Sequence, residues 1–363
     1  MDVLELSTVI IIINTICCFS NIFNRKSRAV LLRFYVILYA VLFSMRSFEF
    51  PDTSEYYNIF LNAWSEKIRM NAEPLNIIIM RICYLGGFRT LLFLYTFMNE
   101  CVLLKAASMI YRLYCKSTQI WIKKEEMQLL VLCSYFSYFG FLYNAVILRE
   151  GAAISMVFLG AAYAMDQKTL KSVFCVFAGM LFHLSAFAGI LILFVIRFHV
   201  SHKRTFKIWY FAVIMLWACN VGTILFESFR SLFLYLARYI PFLSRYTYYV
   251  YYVSTTRSDG MYSKKDILFL LIAAYLVMHS TRNLYYKKLM TVFMTGITCM
   301  VLLNSLYLAY RFYDYFLIFI VPLLAFHTDY TKIKIASGRN TIALGVNMLL
   351  SVAVIRYILS VIV

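Results

Sequence analysis

The chain has 363 residues, of which 63% are hydrophobic and 14% charged, with a formal net charge of +18 and a mean hydropathy of +0.76. Apolar runs recur from residue 3 to residue 363, and no polar stretch is long enough for a core of its own. This excludes a string of soluble domains and predicts one polytopic membrane domain over 1–363. The charge would point to nucleic acid in a soluble protein, but these cations cluster between apolar runs, where they orient a membrane protein.

The first apolar run, 3–23, has Asp2 and Glu5 ahead of or within it and Arg25, Lys26 and Arg28 behind it. A cleavable signal carries its basic residues in front, so a retained span with its N-terminus outside is expected. Further spans are predicted near 29–46, 88–110, 127–148, 151–166, 206–226, 266–281, 289–308, 312–328 and 341–362. The stretch 170–198 is too long for one upright span and short for two of about 20 residues each. Phe182-His183-Leu184-Ser185 interrupts it with polar groups. A helical hairpin or broken helix with His183 at an outward bend is expected, and one tilted span is the alternative. Only the hairpin keeps the basic clusters at 25–28, 112–124, 168–171, 203–207, 282–288 and 332–339 all cytoplasmic. The fold class is thus all-α, with about 10–12 transmembrane helices. Two long outer loops, 47–87 and 228–265, are expected to form part of an active-site cavity.

In the first loop, Pro51-Asp52-Thr53 is a helix-start signal, and the helix would place Asp52, Glu55 and Tyr56 on one face. Glu73-Pro74 opens a second, amphipathic helix over 74–85. Arg149-Glu150-Gly151-Ala152 joins two spans at the outer surface. The small residues leave room for a ligand, and a guanidinium fork fits phosphate oxygens. Snorkelling, or pairing with Glu150, is the plainer role for Arg149. The second loop holds Arg245 within a tyrosine-rich run suited to stacking on sugars, and Arg311, Asp314 and Tyr315 open a late span. Glu100, inside the third span, is costly unless paired or protonated, with Lys105 a little over one turn away. His199 and His202 have no acidic or cysteine partner, and most of the nine cysteines lie in apolar runs, so neither a metal site nor a disulfide frame is expected. No phosphate-binding glycine loop, dinucleotide fingerprint, nucleophile elbow or HExxH pattern occurs.

The order of Asp52 with Tyr56 and Tyr57, Glu73-Pro74, Arg149-Glu150-Gly151-Ala152, Phe182-His183-Leu184-Ser185-Ala186 and Arg311 to Tyr315 resembles the EpsG family over about residues 50–326. This is a group of Wzy-type exopolysaccharide and capsule repeat-unit polymerases. Glu150 stands where glutamine is expected, and Thr53-Ser54-Glu55 is inserted before the tyrosines. The resemblance implies a membrane glycosyltransferase of exopolysaccharide, capsule or O-antigen synthesis. It would transfer a growing glycan from undecaprenyl diphosphate to the non-reducing end of a new undecaprenyl-diphosphate-linked repeat. Asp52 and His183 are then the catalytic candidates, with Asp52 favoured as base. Arg149, Arg311, Arg245, Glu73, Glu55, Tyr56, Tyr315 and Asp314 are the substrate-binding candidates. No cofactor or metal is implied, the outer loops having no Asp-x-Asp pair. The implied partners are the lipid-linked donor and acceptor, membrane lipid, a flippase and a chain-length regulator, with no nucleic acid. The implied place is the bacterial inner membrane, with the site on its extracytoplasmic face. A ligase or other lipid-linked-sugar transferase, and a flippase or transporter of the same glycan, are the competing functions. A flippase should show paired repeats, and none is evident.

Overall fold

The computed structural model describes residues 2, 5–6, 8–13, 25–65, 73–118, 124–239, 247, 264–303, 309–327 and 349. Among these residues the regular structure is entirely helical. The chain divides into two compact units, Met1–Ile196 with Ile320–Val363, and Arg197–Phe319. The expected spans 3–23 and 341–362, the basic cluster 332–339 and most of the outer loop 228–265 lie outside the described residues in whole or in large part.

In the first unit, α1 (Arg25–Ser44) leads to the short helices α2 (Thr53–Leu61) and α3 (Pro74–Cys83). Pro74 fits the first turn of α3, where its missing N–H has no intrahelical partner to lose. A 3-10 turn then leads into α4 (Phe88–Thr118), whose 31 residues make it about 46 Å long. It is followed by α5 (Lys124–Phe136), α6 (Phe139–Ala145), α7 (Leu148–Met165) and α8 (Thr169–Phe182). α4 packs between α1 and α7, and α7 packs on α8. α7 is buried almost all round, as expected for the central helix of a packed group. Its small residues permit this. Gly160 lies against the backbone of Ser172, whose hydroxyl donates to the Gly160 carbonyl at 2.8 Å. Gly179 of α8 likewise faces the Ala153 carbonyl, so a side chain at any of these points would push the helices apart. Tyr39 of α1 stacks on Phe136 of α5 with ring centroids 3.8 Å apart.

After Phe182, His183 adopts an extended backbone (φ −159°, ψ 129°), and a 3-10 turn, Leu184–Phe187, leads into α9 (Ala188–Arg197). Gly189 lies against the Val176 side chain, so the chain doubles back at the bend. The stretch 170–198 is therefore broken at His183, as the hairpin or broken-helix expectation has it.

The second unit holds α10 (Lys203–Ala218), α11 (Val221–Ala237), α12 (Lys264–Met278), α13 (Leu284–Leu303) and α14 (Tyr310–Leu317). α13 packs against α10, α11, α12 and α14. α15 (Ile320–His327) returns to the first unit, where Phe326 stacks on Tyr114 at 4.2 Å.

Among the described residues, α1, α4 and α13 are each long and apolar enough to cross a membrane. The α10–α11 pair qualifies jointly, with a bend of 64°. With the further short apolar helices, this makes the chain a polytopic membrane protein. Several runs read as continuous are broken. The run 206–226 bends at Asn220, which takes a left-handed φ of 50°. The run 127–148 divides around Ser137–Tyr138 into α5 and α6. The run 312–328 restarts at Ile320 because Pro322 is tolerated in the first turn of α15 but not in the interior of a longer helix.

Candidate functional site

The first unit gathers polar side chains around the N-terminus of α7. Arg149, in its first turn, donates through Nη1 to Glu73 Oε2 at 2.9 Å, with the two side chains 25% and 23% exposed. The Arg149 guanidinium lies over the Tyr56 ring, 5.4 Å from its centroid, and Tyr56 is buried. Arg149 Nε is buried and has no hydrogen-bond partner among the described residues. The pairing of Arg149 with Glu150 considered from the sequence is replaced by this link to Glu73, 76 residues away in the chain.

Asn76, one turn after Glu73 and buried, fixes the arrangement. Its Nδ2 donates to the Phe182 carbonyl at 2.7 Å and also approaches Glu73 Oε2 at 3.3 Å. Its Oδ1 accepts from the Tyr95 hydroxyl at 2.5 Å. One amide thus joins α3, α4 and the end of α8, and it sets the hairpin bend beside the Arg149–Glu73 pair. His183 follows directly. Its Nδ1 lies 2.5 Å from Ser185 Oγ and accepts from the Ser185 backbone N–H at 3.3 Å, so the ring caps the 3-10 turn.

Asp52 takes a left-handed backbone (φ 61°) just before α2 and makes no side-chain cap bond. The predicted shared face therefore splits. Tyr56 turns inward to Arg149, while Asp52 and Glu55 are exposed. Glu55 and Tyr56 are consecutive in the helix and so point about 100° apart, while Asp52 lies outside it. Arg46, just past the end of α1, lies within electrostatic range of both Asp52 and Tyr56. Burial lowers its pKa to about 10 against the raising influence of Tyr56 and Asp52, so it is a cation at neutral pH. It donates to the Asn144 carbonyl, and Asn144 Oδ1 accepts from Asn99 Nδ2 at 3.0 Å.

Arg311, Asp314 and Tyr315 belong to the second unit, where Asp314 and Tyr315 are buried and Arg311 is half-buried. Arg245 lies outside the described residues. Glu100 is fully buried, and neither carboxyl oxygen has a hydrogen-bond partner among the described residues. Asn76, Tyr95 and Arg46 were not singled out from the sequence. Two signals for them existed: Asn76 is one helical turn from Glu73 behind a proline, and Arg46 is a cation at the end of a span predicted to be outside.

The model of the EpsG family matches residues 30–362, nearly the whole chain. No curated protein and no solved structure matches it.

Proposed function

The chain belongs to the EpsG family, and from that premise we propose that it polymerises lipid-linked oligosaccharide repeat units at the extracytoplasmic face of the bacterial inner membrane. Family membership supports a polysaccharide-polymerase-type role in polysaccharide biosynthesis, and the apolar helices support a membrane setting. The donor is a growing glycan on undecaprenyl diphosphate, and the acceptor is a repeat unit on a second such carrier. In the reaction an acceptor hydroxyl gives up its proton, its oxygen attacks the donor's anomeric carbon, and the bond to the diphosphate breaks. Negative charge then grows on the diphosphate, and a preorganised cation is most effective there.

The observation that carries this reading is the partial use of Arg149. A guanidinium has five N–H donors. Glu73 accepts from its Nη1, Tyr56 lies under its face and also hydrogen-bonds it, and Nε has no hydrogen-bond partner among the described residues. The group is held in place with donors to spare, which suits the capture of two phosphate oxygens. Asp52, exposed near Arg46, is the proposed base. His183 suits a different role. While Nδ1 accepts from Ser185, the neutral ring carries its proton on Nε2, which can donate a hydrogen bond but cannot accept a proton.

The test uses a strain lacking the protein, in which single-repeat glycan should remain while long chains disappear. Restoring the chain with Arg149→Lys should leave long glycan sharply reduced at normal protein level, because an ammonium keeps the charge but loses the planar fork. Wild-type chain lengths from that variant would return Arg149 to a structural ion pair with Glu73. Loss of single-repeat glycan as well, or its survival together with full-length polymer, would reject a polymerase.

A further inference from the structure

At the opposite end of α7 from Arg149 the first unit contains a polar cavity of about 420 Å³. It is lined by Lys105 and Arg112 of α4, by Lys168 and Lys171 around the start of α8, by Tyr163 of α7 and by Asp166 just beyond it. The 14 to 17 residues from Arg149 to this lining amount to roughly 21–26 Å along the helix, so the two sites are separate. The positive-inside tendency puts this end in the cytoplasm.

The charges here are not balanced. Of the four cations, only Lys168 has a carboxylate partner in an ion pair among the described residues, Asp166 at 2.5 Å. Lys171 lies 5.9 Å from the Tyr163 ring centroid, and no ion pair to Lys105 or Arg112 occurs among the described residues. Topology alone would call for basic residues at this end of the helices, but not for their convergence on a hollow. Met109 and Leu113 form apolar parts of the wall, and Ser108, which accepts from Gln128 Nε2 at 2.8 Å, adds a polar one. Cations around a cavity with an apolar flank are the chemistry of a phosphate group that carries a less polar body.

We propose that this cavity is a cytoplasmic binding site for a phosphate-bearing anion, recognised by Lys105, Arg112 and Lys171. The source of the phosphate is either an acidic phospholipid headgroup or a soluble phosphate compound. The site stands independently of the polymerase reading, because its ligand and its readout differ from those of glycan transfer.

The test uses the purified full chain in detergent, with phosphatidylglycerol mixed micelles and inorganic pyrophosphate as separate probes and phosphatidylcholine micelles as the neutral control. Acylation of lysines by an amine-reactive ester is followed by mass spectrometry, with the exposed Lys207 as an internal standard. At ten times the dissociation constant, Lys105 and Lys171 should react about tenfold more slowly, since only unoccupied sites react. Protection by phosphatidylglycerol assigns the lipid source, and protection by pyrophosphate assigns the soluble one. Protection by neither, or equal protection by phosphatidylcholine, overturns the proposal. The triple variant K105Q/R112Q/K171Q should bind the effective probe about 100-fold more weakly. Unchanged binding by a folded variant would also overturn it, and the wild-type protection measurement decides the matter if the variant does not fold.

Discussion

Asp52 and His183 show how two residues of similar promise on paper are distinguished by their immediate surroundings. His183 ends α8 and turns its Nδ1 onto Ser185, so part of its hydrogen-bonding capacity is committed to the hairpin bend. Asp52 makes no side-chain cap bond and remains exposed within electrostatic range of the buried Arg46. If Asp52 is the base, Asp52→Asn keeps the shape but removes the proton acceptor, and polymer formation should fall by about 10²–10⁴. His183→Gln can still accept the Ser185 N–H and should cost less. The comparison is made by complementation, reading glycan length and protein level together. Abolition of polymer by His183→Gln, with Asp52→Asn nearly silent, would exchange the two roles.

At the scale of elements, the sequence made the helices legible, because they depend on local pattern. The Arg149-Glu150-Gly151 motif fell at the start of a helix as expected, with boundaries shifted by a few residues to Leu148–Met165. The break at His183 could be read from the polar interruption there together with the distribution of cations. What could not be read were contacts between segments distant in sequence. Asn76 meets Phe182 across 106 residues, and Glu73 meets Arg149 across 76. Local spacing carries no information about such pairs. The break at Asn220 was equally hidden, because a single asparagine in an apolar run does not declare a left-handed backbone. Pro322 was visible, and its consequence for the run 312–328 could have been drawn. The Asn76 junction leads to a prediction at this scale. Asn76→Ala leaves the buried Phe182 carbonyl and Tyr95 hydroxyl without this amide, at about 1–3 kcal/mol for each buried group left unsatisfied. The variant should unfold at a lower temperature in detergent, and long glycan should decline even though Asn76 is not among the proposed substrate-binding residues. An unchanged melting temperature would mean that the amide does not brace the site.

At the scale of the whole molecule, one topological question decides on which side of the membrane the chain after α9 begins. α7 runs from Arg149 at one end to Asp166, Lys168 and Lys171 beyond the other, and α8 returns the chain to His183. A hairpin there sends α9 back toward the side from which α8 came, so Lys203, Arg204 and Lys207 should be cytoplasmic together with Lys168 and Lys171. Had the stretch crossed only once, that cluster would be outside, and the charge asymmetry that orients the protein would be divided. Single cysteines introduced at exposed Glu55 and Arg204, on a background without the native cysteines, test this with a membrane-impermeant maleimide applied to intact spheroplasts. Glu55→Cys should be labelled from outside, and Arg204→Cys only after permeabilisation. External labelling at 204 with labelling at 55 unchanged would show that α9 does not return the chain to the cytoplasm. It would also invert the sidedness of everything that follows in the second unit while leaving the Arg149 site where it is. Labelling at 204 but not at 55 from outside would place the Arg149 site in the cytoplasm, away from an extracytoplasmic lipid-linked substrate.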